Sequence, residues 1–330
     1  MRRLLVLAAA TSMFACVAAT TGTLLPATAS VPYSFAVIGD LPYGPPEYAL
    51  FANRIDQLNS AENVQMAVHL GDITSGGLLG NCTDEYNATI KSEFDRFAGP
   101  FVYTPGDNEW ADCLRSGTGP ADPWTRLAAV RQTFFPTPGM TLGSTPMAVT
   151  AQEGYPENIS FDQGGLSVAV VHLIGSNNGL TAWPGLKTAT PEQLSEMNAR
   201  VAADITIMRD TFARAKAVGS RGVLILTQAN VFSGSSATYK SAFKPFVVAL
   251  AAETRAFRLP VLLINGDTHT YKKDKPLTLS TWKRFYGVTT SVSNLTRVVV
   301  KAGTSEWLRV TVVDSTTVFQ TQRVPFAWQL

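Results

Sequence analysis

Apolar and polar positions alternate along this chain in two rhythms. Short, nearly continuous apolar runs predict buried strands. They are Ser34–Gly39 (SFAVIG), Val64–Gly71 (VQMAVHLG), Phe101–Thr104, Leu166–Ile174 (LSVAVVHLI), Gly222–Thr227 and Pro260–Gly266 (PVLLING). Between them lie helical patterns. Pro46–Asn59 places Leu50, Phe51, Ile55 and Leu58 on one side. A second helix is predicted from Pro123, behind Asp122 as N-cap, to about Phe135. A long one opens with the capping box Thr190-Pro191-Glu192-Gln193 and closes at Gly219, and another runs from Tyr239 to about Ala256. After Pro276, Leu295–Lys301, Glu306–Asp314 and Val318–Val324 read as β-branched strands in an antiparallel meander that completes a sheet. No linker rich in Pro, Gly or Ser divides the pattern. It predicts one α/β domain over residues 30–330, with mixed strands in two sheets between helices.

The segment before the first strand is different. Arg2-Arg3 precede an apolar stretch from Leu4 to Ala19, interrupted by Thr11 and Ser12, and Ala27-Thr28-Ala29 forms a small-residue cleavage site. Residues 1–29 are expected to be a cleaved secretory signal rather than a membrane anchor, because the run is short and polar-interrupted. Met13-Phe14-Ala15 before Cys16 is a poor lipoprotein box, and the short basic region argues against a twin-arginine route. The mature chain is expected to be secreted or periplasmic, with no stable membrane insertion. Setting Arg2 and Arg3 aside leaves 25 basic and 25 acidic residues, which lacks the basic excess of a nucleic-acid binder. With 45% hydrophobic and 16% charged residues, the chain is expected to fold around an ample core. Cys16 leaves with the signal, and Cys82 and Cys113 remain. An even pair in an oxidising compartment predicts one disulfide, the alternative being two buried thiols.

Chemistry concentrates at the strand ends. Gly-Asp occurs four times, at Gly39-Asp40, Gly71-Asp72, Gly106-Asp107 and Gly266-Asp267, each time closing a largely apolar run. Open α/β sheets bind ligands beyond the carboxyl ends of their strands. Glycine allows a sharp turn and leaves space beside the acid. One such step is ordinary turn chemistry. Four converging carboxylates would repel one another unless cations or raised pKa values neutralise them, and metal is the simplest neutraliser. Other polar groups fall at the same kind of place. Tyr43 lies three beyond Asp40, Asn108 and Glu109 follow Asp107 in PGDNEW, Gln228 and Asn230 follow GVLILT, and His269 lies two beyond Asp267.

The order of these steps resembles the calcineurin-like metallophosphoesterases, which include the purple acid phosphatases. PGDNEW and GDTH are similar to a secreted branch with altered ligands, and the resemblance spans roughly residues 34–272. It implies a four-layer αββα sandwich with two mixed β-sheets, a dinuclear metal site, and phosphoester hydrolysis by a metal-activated hydroxide. It implies Asp40 as a terminal ligand of one metal and Asp72 as the bridge between both. Asp107 stands at the place of an asparagine ligand and Asn108 at that of a histidine near the leaving group; a one-residue slip would make Asn108 the ligand. Gln228 stands at a histidine ligand's place. Asp267 and His269 take the places of the two histidines in the last motif.

The chain departs from that pattern in one consistent way. Two residues past Asp40 the family has a histidine and this chain has Pro42, so Tyr43 becomes the candidate there, as a ligand or a proton donor. Histidine places are filled by Pro42, Asn108, Gln228 and Asp267, and of three histidines only His269 keeps one. His69 and His172 lie inside strands and read as packing. Imidazole suits Zn and Fe, whereas oxygen donors suit Mg, Mn and Ca. The set is therefore expected to hold two divalent ions, Mn, Mg or Ca ahead of Fe or Zn. Without a histidine at Asn108, the proton for the leaving group is expected from a metal-bound water or Tyr43. Arg115 is a candidate phosphate contact or a surface salt bridge. A Cys82–Cys113 bridge would tie two ligand loops together. The expected function is an exported metal-dependent phosphoesterase acting on a small phosphorylated monoester or diester. The alternative is a non-catalytic binding protein of the same fold, with a weak metal site or none. A serine hydrolase lacks support, since no G-x-S-x-G step is present.

Overall fold

Both rhythms of the sequence are realised in space. The structure, a computed structural model, describes residues 32–233 and 241–327. The expected leader and Cys16 lie outside these residues. The first sheet has five strands in the order β12-β11-β1-β2-β3. They are β1 (Tyr33–Ile38), β2 (Val64–His69), β3 (Phe101–Tyr103), β11 (Glu306–Val312) and β12 (Phe319–Pro325). β1, β2 and β3 run parallel, and β11 and β12 add antiparallel neighbours beside β1. The second sheet has seven strands in the order β4-β5-β6-β7-β8-β10-β9. These are β4 (Thr150–Gln152), β5 (Tyr155–Gln163), β6 (Leu166–Val170), β7 (Gly222–Leu226), β8 (Val261–Asn265), β9 (Lys272–Asp274) and β10 (Leu295–Val299). β6, β7, β8 and β10 are parallel, while β4, β5 and β9 are antiparallel to their neighbours.

Alternation along each strand decides which layer a side chain enters. In β1, Phe35 and Val37 face the other sheet and meet Val68, Leu226, Ile264, Val298 and Val310 in the inter-sheet core. Ala36 and Ile38 face outward, under α1 (Gly44–Ser60), α2 (Asp84–Asp95) and α3 (Pro123–Phe134), with Phe51, Ile55, Phe94 and Val130. The outer face of the second sheet is covered by α4 (Pro191–Val218), α5 (Lys244–Phe257) and α6 (Ser280–Tyr286), through Val201, Met208, Phe212, Phe246, Leu250 and Tyr286. The result is the four-layer αββα sandwich with two mixed sheets. The helix ends follow the expected chemistry. Asp122 accepts a hydrogen bond from the Thr125 N–H at 2.9 Å. Thr190 and Gln193 close a reciprocal capping box, and Gly219 is left-handed at φ 71°.

The carboxyl-terminal expectation needs correction. β10 is not part of a meander: it lies parallel to β8 in the seven-stranded sheet, and only β11 and β12 form a hairpin, in the other sheet beside β1. β-branched composition marks a strand but does not choose between two sheets. The helix expected from Tyr239 starts at Lys244, after a 3-10 turn at Ser241–Phe243; Tyr239 lies outside the described residues. β5 escapes an apolar reading because Glu157 and Asn158 point inward. Glu157 bonds His172 Nδ1 at 2.9 Å and Arg131, and Asn158 Nδ2 donates to Asp204 Oδ1 at 2.8 Å. α2 is signalled mainly by Thr83, whose hydroxyl caps the Tyr86 N–H.

Candidate active site

The loops that follow β1, β2, β3, β7 and β8 carry Asp40, Asp72, Asp107, Gln228 and Asp267 to one place at the strands' carboxyl ends. The loop after β6 joins them. Asp40, Asp72 and Asp267 have positive φ, at 55°, 54° and 75°. Asp tolerates this left-handed region better than most residues, so the acid itself makes the turn. Three glycines act by leaving room. A side chain at Gly106 would strike the Asp72 carboxylate, and one at Gly266 the Asp40 carboxylate. Gly175, after β6, does the same for Asp107, whose Oδ1 would stand 2.5 Å from an added Cβ. Two of the four Gly-Asp steps, at Gly106 and Gly266, thus serve a neighbouring step's acid as well as their own.

Asp40 is fully buried and accepts from the Asp267 N–H at 2.9 and 3.1 Å. His269 Nε2 stands 3.5 Å from its Oδ1, and its carboxyl touches that of Asp72. Asp72 is the hub. Its Oδ2 accepts from Gln228 Nε2 at 2.9 Å and from the Tyr43 hydroxyl at 3.4 Å, and its Oδ1 from the Asn108 N–H at 3.3 Å. Asp107 packs against Asp112 and the Ser176 hydroxyl. Asp267 Oδ2 accepts from the Asn230 N–H at 2.9 Å. Burial raises the pKa of Asp40, Asp72 and Asp107. Asp107, Glu109, Asp40 and Asp267 push Asp72 further up, and Asp112 and Asp267 do so for Asp107. His269 is raised by its bond to Asp40 and favours its charged form. Tyr43 is raised well above its ordinary value by burial and by the acids around it. In this arrangement it is a phenol that donates to Asp72.

Arg115 does not face the quartet. Its guanidinium pairs with Asp112, which in turn accepts from Ser176 Oγ at 3.0 Å. This is the salt-bridge reading, with the arginine one carboxylate removed from Asp107. The Cys82–Cys113 disulfide is present, with Cα atoms 5.9 Å apart, and joins the loops after β2 and β3. Sequence reasoning passed over Asp112, Gly175 and Ser176. Gly175–Gly179 forms a left-handed turn, with Ser176, Asn177 and Asn178 all at φ between 50° and 57°. The string GSNNG signals a turn, but nothing in it shows that Gly175 N–H binds Gln228 Oε1 at 2.7 Å. Glu109 is buried and accepts from the Gly106 N–H and the Tyr103 hydroxyl, both at 2.7 Å, so it braces the Asp107 loop.

The profile of the calcineurin-like phosphoesterases matches residues 33–271. The chain belongs to that family. Among solved structures it is similar to GAP50, the anchor in the inner membrane complex of Plasmodium, at 11% identity over 90% of each chain and a TM-score of 0.46. It is also similar to TT1561 of Thermus thermophilus (10% identity, 89% of this chain and 99% of that one, TM-score 0.43). A third is the calcineurin-like phosphoesterase YfkN from Bacillus subtilis (10% identity, 89% and 91%, TM-score 0.39). No curated protein matches the sequence.

The family typically binds two metal ions. Donor chemistry and orientation test whether these residues suit such a pair. Asp40, Asp72, Asp107 and Asp267 offer carboxylate oxygens, and His269 is the imidazole among them, a set that suits a hard divalent cation. The two amides point the wrong way. Gln228 gives its Oε1 to Gly175 and turns Nε2 to Asp72, while Asn108 Nδ2 donates to the Thr74 carbonyl at 2.9 Å and to Tyr43. An amide N–H ligates no metal. As the side chains lie, no group of three or more His, Cys, Asp or Glu among the described residues is arranged to hold an ion. The residues do not fit the family's pair. Their oxygen chemistry suits hard divalent cations, and only once the N–H donors on Asp40 and Asp72 give way.

Proposed function

We propose that this chain is an exported phosphoester hydrolase that takes up one hard divalent cation, Mn, Mg or Ca, from solution. The observation that carries the reading is the cluster of four carboxylates at the strands' carboxyl ends, three of them (Asp40, Asp72 and Asp107) buried, flanked by His269. When bound, such a cation would polarise a phosphoryl oxygen and acidify a water. Asp40 and Asp72 would hold it, and their carboxyls already touch. His269 lies half-exposed at the mouth, with its ring 5.5 Å from that of Tyr43. A charged imidazole there can steady the phosphate and give a proton to the leaving oxygen. Tyr43 keeps its proton and is the second donor. Asn108, at the family's acid position, has no proton to give. Export is supported by the signal-like residues 1–29 and by a disulfide, which persists in oxidising compartments. Small phosphorylated monoesters or diesters with good leaving groups are the substrates this donor set suits.

A second reading has its own observation. The Gln228–Asp72 and Asp267–Asp40 hydrogen bonds close the site with the chain's own donors, as a binding protein without turnover would. Metal content and turnover separate the two. The purified protein is stripped with a chelator, and Mn, Mg, Ca, Fe or Zn is added back beside an aryl phosphomonoester and diester. The hydrolase reading predicts turnover that returns with Mn or Mg at one ion per chain and is lost in Asp72→Asn. Absence of turnover with every ion would leave the binding protein.

A further inference from the structure

Away from the acids, the gap between the two sheets is not closed by apolar packing. A cavity of about 560 Å³ opens there, lined from the starts of β8 and β10, from β9 and from β12. Small-molecule sites have volumes of about 300–1,000 Å³. Asp267 lies five residues beyond Leu262 of the lining, so about 15 Å of strand separates this cavity from the acid cluster. Strand pairing shows which side chains enter it. Phe319 and Thr321 stand opposite Val312 and Val310, and Lys273 opposite Val298; all three valines belong to the inter-sheet core. Lys273 and Lys275 therefore point between the sheets. Lys273 Nζ donates to Thr321 Oγ1 at 2.8 Å, and Lys275 Nζ to the Ser293 carbonyl at 2.7 Å. An ammonium has three donors, so each keeps N–H groups for a guest. Arg258, the left-handed cap of α5 at φ 66°, is the third cation of the lining.

Among the described residues, no Asp or Glu lines the cavity. The neighbouring acids are engaged elsewhere, Asp274 with Arg297 and Asp314 with Arg221. Hydroxyls surround the cations instead, from Ser293, Thr296, Thr317 and Thr321. The turn that presents Thr317 is held by Val318 at φ 58°, a costly conformation for a β-branched residue. Lysines also blunt edge strands, and β9 is an edge. Edge protection, however, requires neither a cavity nor a set of hydroxyls.

We infer that this cavity binds a phosphorylated or sulfated sugar, a tetrahedral oxyanion carried on a polyhydroxylated ring. Lys273, Lys275 and Arg258 supply charge-assisted donors to the oxyanion. The hydroxyls both donate and accept, as a sugar's own hydroxyls require. Phe319 and Leu259 offer apolar surface to the C–H face of the ring. The site is separate from the acid cluster and stands whether or not that cluster hydrolyses a phosphoester.

The test is calorimetric titration of the purified protein, with a chelator present to keep cations from the acid cluster. The titrants are glucose 6-phosphate, glucose 6-sulfate, glucose and inorganic phosphate. At least one ester is expected to bind at one site per chain, the tighter of the two identifying the oxyanion. Glucose and inorganic phosphate should each bind at least tenfold more weakly than that ester. Lys273→Ser/Lys275→Ser should weaken ester binding by about tenfold or more, the worth of one charge-assisted hydrogen bond. Arg258→Gly, which suits the left-handed backbone, should weaken it several-fold and serves if the double variant does not fold. Failure of both esters to bind at about millimolar concentration, or binding unchanged in the variants, overturns the inference and leaves the lysines as edge protection. Inorganic phosphate binding as tightly as glucose 6-phosphate overturns the sugar as the ligand.

Discussion

A methyl group at position 106 would land on the carboxylate of Asp72, and one at position 266 on that of Asp40. The glycine half of these two Gly-Asp steps is therefore a packing requirement of another loop. Gly106→Ala should destabilise the fold by about 3 kcal/mol through overpacking against backbone and acid, readable as a lowered denaturant midpoint with unchanged slope. The four acids were legible because each closes an apolar run. Asp112 was not, since its partner Ser176 lies far along the chain, in a turn whose handedness no residue pattern declares. The buried histidines give a second prediction. His69 is fully buried, holds the Leu41 carbonyl at 2.9 Å through Nε2, and has a pKa lowered to about 3 by burial. Its neutral form is favoured in the fold, so its contribution is complete above about pH 6.5 and is lost as pH falls toward 3. By pH 5 the loss is about 2 kcal/mol. His69→Gln should show a smaller drop in melting temperature between pH 7 and pH 5 than the wild type; equal drops would contradict the assignment.

At the scale of elements, strand and helix signals were read well where chemistry is local. The capping box at Thr190 and the glycine stop at Gly219 define α4 at both ends. Thr190→Ala should cost about 1 kcal/mol of stability, measured by thermal unfolding. β5 was invisible because two of its four buried residues are polar and find their partners only after folding: Glu157 with His172 and Arg131, and Asn158 with Asp204. The paired loops after β2 and β3 depend on their bridge. Replacing both cysteines with serine should cost about 3–4 kcal/mol in the chain-entropy account, given a sequence separation of 31. The same change should loosen the placement of Asp107 relative to Asp72. It should therefore weaken metal uptake more than a remote substitution of equal cost in stability.

At the scale of the molecule, strand-helix alternation predicted two sheets between helices, and the chain builds them. The division of the last three strands between the sheets was not legible, because β10, β11 and β12 share one composition and only long-range pairing separates them. The site follows the same division. Strands of both sheets end at the quartet, which is why residues as distant as Asp40 and Asp267 share hydrogen bonds. Asp40, Asp72 and Asp107 are buried there together, with Asp267 beside them. The central claim is that this centre takes one hard cation and then cleaves a phosphoester. The most direct measurement is the rate of aryl phosphate hydrolysis as Mn is titrated into chelator-stripped protein. The account predicts a rate that saturates along a one-site curve in the wild type and stays at the uncatalysed level in Asp72→Asn. A wild-type rate that never rises above the uncatalysed level at any Mn concentration would contradict it.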